Sequence, residues 1–399
     1  MFCLVEVLGL FPIWLIPSLS DSYSTSSQSR NKFVETALAY ALTYVSSISR
    51  SKFGPASITI LADTDYYSHA EFTSTTSPRW TDQAFIDFNV PLNKAHKTGL
   101  GSSAALVTAF TAAVFAHYLD SEGAFLKSDT GRVRLHNLAQ AAHCAAQGKV
   151  GSGFDVAAAV YGSCIYRRFS PSVLDGLADP GTKGFLTRLK AVVEDTDSSR
   201  HWDTQIQKSS VVMPKGLRLV MCDVDCGSET VGMVKKVLSW RNENREEAAL
   251  LWETLQKGNE DLMEELRSLS KIAGDAPNSY DNLSNVILTI RSVIREMSTK
   301  AGVPIEPKVQ TELLGTCSQL PGVIGGVVPG AGGYDAIALL VDQRKSDVLD
   351  RLQGLLDQYS VSAEEGEGAS IGKVRLLGVK QEMEGVNVMD PKIYASWTR

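Results

Sequence analysis

Gly99-Leu100-Gly101-Ser102-Ser103-Ala104-Ala105 is the stretch on which the reading of this chain turns. Two glycines let the backbone pass close to a ligand, two hydroxyls follow, and an apolar, alanine-rich run extends from Leu106 to Tyr118. The pattern predicts a glycine loop opening a buried helix. A helix start leaves backbone N–H groups without intrahelical acceptors, and the helix dipole adds partial positive charge there. Together they suit a phosphate group, so the first expectation is a nucleotide-dependent enzyme.

Two better-known phosphate loops do not fit. A P-loop needs Gly-x-x-x-x-Gly-Lys-Ser/Thr. Gly148-Lys149 is followed by Val150, with His143 where the first glycine belongs, and Gly372-Lys373 is followed by Val374. Gly99, Gly101 and Ala104 satisfy the dinucleotide spacing, but that fingerprint needs a strand before it and an acid at the tip of the next strand. Pro91 to Thr98 is polar, and Asp120 ends the same helix.

The chain has 399 residues, enough for two domains, with 44% hydrophobic and 21% charged residues, ordinary for a globular protein. A net charge of −6 argues against a nucleic-acid surface. An anionic substrate therefore needs local positive groups. The six cysteines, Cys3, Cys144, Cys164, Cys222, Cys226 and Cys317, are scattered, which predicts free thiols rather than a disulfide framework. Cys222 and Cys226 have a zinc-like spacing but no second pair. No other feature indicates a resident metal cage, a membrane span or a nucleic-acid partner. Oligomeric state is not legible.

Residues 1–30 stand apart. Met1 to Leu19 is apolar, yet no Lys or Arg precedes Arg30, Glu6 sits where a signal peptide carries positive charge, and Pro12 and Pro17 interrupt the run. A Ser-rich stretch follows from Asp21 to Ser29. The expectation is an atypical leader outside the fold.

Beyond it, helices are predicted over Asn31–Ser49, Leu106–Tyr118, Leu135–Gln147, Val156–Tyr161, the long amphipathic span Glu243–Lys300, Val309–Leu320 and Ser346–Tyr359. Strands are predicted over Ser57–Ala62, Phe85–Val90, Ser163–Phe169, Leu217–Val224, Val323–Val328, Ala336–Val341 and Val374–Val379. Pro171 to Asp203 is polar and loop-rich and marks a boundary between an N-terminal domain, 31–205, and a C-terminal domain, 206–399. The irregular alternation predicts an α+β fold.

Three glycine-rich stretches, Gly99 to Ala105, Gly148 to Asp155 and Pro329 to Asp335, read together as parts of one site. The loop Lys97 to Ala105 resembles the ATP-phosphate loop of the galactokinase, homoserine kinase, mevalonate kinase and phosphomevalonate kinase (GHMP) superfamily. Ala141 to Ala159, with its core Gln147-Gly148-Lys149-Val150-Gly151-Ser152-Gly153-Phe154-Asp155, is similar to the fungal phosphomevalonate kinase family in particular. So are Tyr161-Gly162-Ser163, Tyr166-Arg167-Arg168-Phe169, Gly227-Ser228-Glu229-Thr230, Ile305-Glu306-Pro307-Lys308-Val309-Gln310-Thr311 and Pro329 to Ala336. The resemblance runs from about Asn31 to the C-terminus.

The resemblance implies two α+β lobes with the active cleft between them. It implies ATP as co-substrate with Mg²⁺, and phosphorylation of (R)-5-phosphomevalonate to (R)-5-diphosphomevalonate on the mevalonate route to isoprenoids and ergosterol. The partners implied are those small molecules, and the compartment is cytoplasmic. Lys97, Gly99, Leu100, Gly101, Ser102, Ser103 and Ala104 would bind the nucleotide phosphates, and Ser103 would reach Mg²⁺. Ser102 or Ser103 equally suits a helix cap. Asp155 would orient the acceptor or take its proton, or it caps the helix from Val156. Lys149, Ser152, Gly153, Arg168, Gly332 and Gly333 would contact the substrate. Arg167 and Arg168 are neighbours on an expected strand and point to opposite faces, so at most one serves. His143 fits either a pH-sensitive contact or a structural hydrogen bond. Other readings are mevalonate kinase or another small-molecule kinase of the superfamily, and a non-catalytic ligand-binding protein on the same fold.

One departure stands out. The family begins with a strand and a Ser-Ala-Pro-Gly-Lys loop whose lysine serves the phosphates, and here no lysine precedes Lys32. A lobe without that strand is expected to expose a sheet edge, which predicts poor solubility and reduced activity.

Overall fold

The computed structural model describes residues 2–8, 31–49, 53, 57–66, 98, 100–119, 124–208, 213–226, 232–272, 279–365, 369–379 and 383–390. They divide into two units: the described residues up to 208 together with 383–390, and 213–379.

The first unit is built on helices. In chain order it holds β1 (Phe2–Leu8), α1 (Lys32–Ile48), β2 (Ser57–Ala62), α2 (Ser102–Leu119), α3 (Ala124–Lys127), α4 (Asp129–Gln147), α5 (Phe154–Tyr161), β3 (Ile165–Arg167), α6 (Phe185–Glu194) and β4 (Gln205–Gln207). Asn31 caps α1: its Oδ1 accepts the N–H of Phe33 at 3.0 Å and of Val34 at 3.3 Å. Ala37, Tyr40, Ala41, Tyr44 and Val45 then recur at helical spacing and are buried. They pack with Val107, Phe110 and Phe115 of α2 and Leu135, Leu138 and Ala142 of α4. By length and composition α2 could cross a membrane, yet its apolar residues lie in this core. α4 is capped at one end by Ser128 Oγ and closed at the other by Gly148, with Lys149 N–H bonded to Cys144 O at 3.2 Å and Gly148 N–H to Ala145 O at 3.1 Å.

Three expectations are corrected in this unit. Residues 1–30 do not all stand outside the fold, because Phe2–Leu8 pair antiparallel with β2, from Phe2 opposite Ala62 to Leu8 opposite Ser57. The physical reason is that Pro12 and Pro17 lie beyond this segment, which therefore holds no proline to break the ladder; the register is interrupted only between Val5 and Val7. Pro171–Asp203 is not merely loop: α6 buries Phe185, Leu189, Val192 and Val193 between the breaks at Gly184 and Asp195. Finally, 383–390 return from the expected C-terminal domain, with Val386 N–H bonded to Ala159 O at 2.9 Å. A segment without periodicity carries no local signal of where it docks. The expected strand Phe85–Val90 and the motif Gly227–Thr230 lie outside the described residues.

The second unit holds β5 (Leu217–Cys226), α7 (Met233–Glu243), α8 (Arg245–Ser270), α9 (Asp281–Ala301), α10 (Lys308–Ser318), β6 (Val323–Val327), β7 (Ala336–Asp342), α11 (Val348–Gln358) and β8 (Ile371–Leu376). Its sheet runs β6-β7-β5-β8, antiparallel throughout. Alternation along β7 feeds two cores. Ile337, Leu339 and Val341 meet α10 and α11 through Leu313, Leu314, Leu352 and Leu356. Leu340, with Ile324 and Leu217, meets Leu269 of α8 and Leu283 and Ile287 of α9. A wholly antiparallel sheet combined with helices agrees with the α+β class expected from the sequence.

Candidate active site

The glycine loop ends where Gly101 O accepts the N–H groups of Ala104 and Ala105, both at 3.1 Å, and α2 begins at Ser102. Gly101 has φ +72°, a left-handed conformation that glycine takes freely. A Cβ there would sit 3.4 Å from Asp155 Cβ, so the loop lies directly against the first turn of α5. Just before the loop, buried Thr98 donates through Oγ1 to Asp65 O at 2.7 Å and through N–H to Tyr66 O at 3.2 Å. Lys97 and Gly99 lie outside the described residues. Leu100 and Ser103 are half-buried, Ser102 and Ala104 buried.

The second glycine stretch joins α4 to α5. Lys149 and Ser152 are exposed. Tyr166 OH donates to Ser152 O at 2.9 Å, and Arg168 Nη2 donates to Val150 O at 3.2 Å, so β3 and the residue after it brace this loop. β3 ends at Arg167, which corrects the expectation of both arginines on one strand; Arg168 is the one that reaches the loop. Gly153 has φ +82°, and a Cβ would lie 2.5 Å from Gln140 Oε1 and 2.7 Å from Tyr166 OH. Only glycine fits. Asp155 follows, half-buried, its Oδ1 accepting the Val156 N–H at 2.9 Å.

The inner face of α4 completes this part of the site. Ser103 Oγ lies 3.0 Å from His143 Nε2, and Gln147 Nε2 lies 3.2 Å from the same ring nitrogen. Burial lowers the His143 pKa, Asp155 raises it and Lys149 lowers it further. Both charges therefore lie within electrostatic range of the ring. Burial raises the Cys144 thiol, which makes it a poor nucleophile, and pushes the Tyr166 phenol up to about 12, so it stays a donor. Gln140 escaped the sequence reading, and Gln147 and Tyr166 entered it only within motifs, without a role; the i, i+4 spacing of His143 and Gln147 was the available signal.

Thus Leu100, Gly101, Ser102, Ser103, Ala104, Lys149, Ser152, Gly153, Asp155 and Arg168 belong to one unit, with α2, α4, α5 and β3 as scaffold. Gly332 and Gly333 belong to the other. There Gly333 N–H bonds to Ile305 O at 2.9 Å, and a Cβ on Gly332, at φ +83°, would lie 2.4 Å from the same oxygen. The adjacent Glu306 is buried and holds Arg291 through Nη2 at 2.8 Å, Arg295 at 3.0 Å and Thr311 at 2.9 Å. Arg291, Thr311 and Arg295 hold its carboxyl below the usual range against the opposing effect of burial. The second-unit glycine turn is thereby fastened to a rigid neighbour.

Among the described residues no three His, Cys, Asp or Glu side chains converge on a cage for a metal. The donors present are the Ser103 hydroxyl and the Asp155 carboxylate, hard oxygens of the kind that supplement nucleotide phosphates around Mg²⁺. Helix-start amides, a hydroxyl, a carboxylate and nearby cations make an arrangement suited to phosphate transfer.

Comparison with known proteins bears on the family. Residues 72–163 match the GHMP kinases N terminal domain. Phosphomevalonate kinase erg8 of Aspergillus fumigatus is 53% identical over 373 residues, covering 92% of this chain and 75% of the relative. Phosphomevalonate kinase ERG8 of Gibberella zeae is 50% identical over 371 residues, covering 92% and 78%. The crystal structure of the Lin0012 protein from Listeria innocua superposes with a TM-score of 0.55 at 19% identity, over 88% of this chain and 82% of that one, which bears on the fold.

Proposed function

The chain belongs to the phosphomevalonate kinase family of the GHMP kinases, and we propose that it transfers the γ-phosphate of ATP to the phosphate of (R)-5-phosphomevalonate. The product is (R)-5-diphosphomevalonate, an intermediate on the way to isoprenoids and sterols. The observation that carries this reading is the approach of Gly101 to Asp155, with 3.4 Å between a Cβ built on the glycine and Asp155 Cβ. It sets a phosphate-binding helix start beside a carboxylate.

Each residue then has a physical task. The first-turn amides of α2 at Ser102 and Ser103 face the nucleotide phosphates, and the helix dipole stabilises charge that builds on them. Lys149 and Arg168 neutralise the acceptor's phosphate and carboxylate, with the planar guanidinium suited to a bidentate contact. Ser152 and Gly153 present hydroxyl and amide donors to the acceptor. The attacking oxygen belongs to a phosphate that is largely dianionic near neutrality, since its second pKa is about 6. Asp155 therefore orients the acceptor, and takes a proton only from the monoanion. Ser103 and Asp155 would hold Mg²⁺, which would supply neutralisation of the phosphate charge. The buried, free thiols Cys144, Cys222 and Cys317 suit a reducing compartment, and we assign the enzyme to the cytoplasm.

The test is to measure nucleotide binding and phosphate transfer on one preparation of this chain. Binding of ATP with transfer to phosphomevalonate is expected. Binding without transfer identifies a ligand-binding protein on a kinase fold.

A further inference from the structure

We infer that Gln310 is a positioning residue: its side-chain amide holds the Tyr334 carbonyl and, through it, keeps the Gly332-Gly333 turn in the conformation that receives the acceptor. The inference rests on the kinase reading above and on the acceptor contact that the family resemblance gives to those two glycines.

The turn is poorly able to hold itself. Gly330, Gly332 and Gly333 have φ +67°, +83° and +113°, and glycine loses more conformational freedom than any other residue when one conformation is fixed. Within the turn, Gly332 N–H reaches Pro329 O at 3.2 Å. The next three residues are each fixed from outside it. Gly333 N–H donates to Ile305 O at 2.9 Å, Gln310 Nε2 donates to Tyr334 O at 2.5 Å, and Val224 N–H on β5 donates to Asp335 O at 2.9 Å. The first and third are backbone contacts, which most residues could supply. The second needs a particular side chain. A carbonyl only accepts, so the amide nitrogen of Gln310 faces Tyr334 and its oxygen faces away. That oxygen is buried without a hydrogen-bond partner among the described residues, on a side chain that is 0% exposed. A buried acceptor left unpaired costs at least as much as a neutral hydrogen bond returns. Gln310 therefore adds little net stability, and the carbonyl it holds explains its place. α10 makes the anchor stiff: Val309, Leu313 and Leu314 are buried beside Gln310, and Thr311 Oγ1 donates to the buried Glu306 carboxylate at 2.9 Å.

Gln310→Met keeps the side chain's length and removes both polar atoms of the amide. Hydrogen exchange of the intact chain, read by mass spectrometry over 329–335, should be about 5- to 10-fold faster, the factor that one neutral hydrogen bond supplies. KM for phosphomevalonate should rise by about the same factor, because a turn that spends most of its time outside the receiving conformation binds in proportion to the fraction inside it. Saturating acceptor refills that conformation, so kcat should stay within about twofold, as should KM for ATP. The thermal midpoint should move by less than about 3 °C. Cys317→Ala, buried on the same helix, supplies the contrast. It should lower the midpoint and leave the exchange of 329–335 and the acceptor KM as in the parent. Should Gln310→Met not fold, Gln310→Asn, whose amide ends one methylene short of Tyr334, gives the same readings. Unchanged exchange, or faster exchange with an unchanged acceptor KM, overturns the inference and leaves the kinase reading intact. An acceptor KM raised as much by Cys317→Ala as by Gln310→Met assigns the effect to stability and overturns it as well. A parent chain that transfers no phosphate defeats the kinase reading, and the exchange data then decide whether Gln310 holds the turn.

Discussion

Asp155 is the side chain on which the proposed chemistry depends, and two observations define its setting. It stands against Gly101 of the phosphate loop, and its Oδ1 accepts the Val156 N–H at 2.9 Å. The second contact alone would make it a helix-start residue. The two roles separate in Asp155→Asn, because an amide oxygen keeps the contact to Val156 while the charge is lost. A rate loss of roughly 100- to 10,000-fold is expected, with ATP affinity and thermal midpoint little changed. Steady-state kinetics with a parallel melting curve checks this, and an unaltered rate would reduce Asp155 to its structural contact. Gly153 shows the same economy of means: φ +82° and the nearness of Gln140 and Tyr166 exclude any side chain, which keeps the turn before Asp155 in one conformation.

Among the elements, α4 links stability to the site. Its inner face carries His136, Asn137, Gln140, His143 and Gln147 among apolar neighbours, the first four of them buried and Gln147 half-buried. His136 is 1% exposed, its ring 5.7 Å from both Tyr161 and Trp202, and burial lowers its pKa from 6.5 to about 4. In the unfolded chain it protonates near 6.5, so between there and about 4 the unfolded state binds more protons. Its contribution to stability is therefore intact above about pH 6.5 and falls by about 1.4 kcal/mol per pH unit below it. Urea unfolding at pH 7 and pH 5 should show a fall of about 2 kcal/mol that His136→Gln removes. A variant with the same pH dependence as the parent would exclude His136 as its source. This helix also marks the limit of what the sequence discloses. The apolar stripe of α1, the continuous apolar run of α2 and the short apolar strand β7 are local and were readable, as were the glycine loops. The partnership of His143 with Ser103 depends on a contact across 40 positions, which no local pattern encodes. α6 was hidden because its apolar residues Phe185, Leu189, Val192 and Val193 sit inside a stretch dominated by turn formers. Phe2–Leu8 was misread because a strand that depends on pairing with β2 has no periodicity of its own to announce it.

For the molecule as a whole, a helical unit carries the Gly99–Ala105 glycine loop and Asp155, and a sheet unit carries the Gly332-Gly333 turn fastened to Ile305. The family assignment supplies the acceptor, and the proposed site draws its helix start, carboxylate and cations from the first unit. The direct test is the specificity ratio, kcat/KM for (R)-5-phosphomevalonate against mevalonate with MgATP, with phosphorus-31 NMR of the product. A diphosphate product, turnover of about 1–100 s⁻¹ and a preference of about 1,000-fold or more for the phosphorylated acceptor are expected, because mevalonate leaves Lys149 and Arg168 without their anion. A higher kcat/KM on mevalonate, or no diphosphate formed by a preparation that binds ATP, would contradict the account.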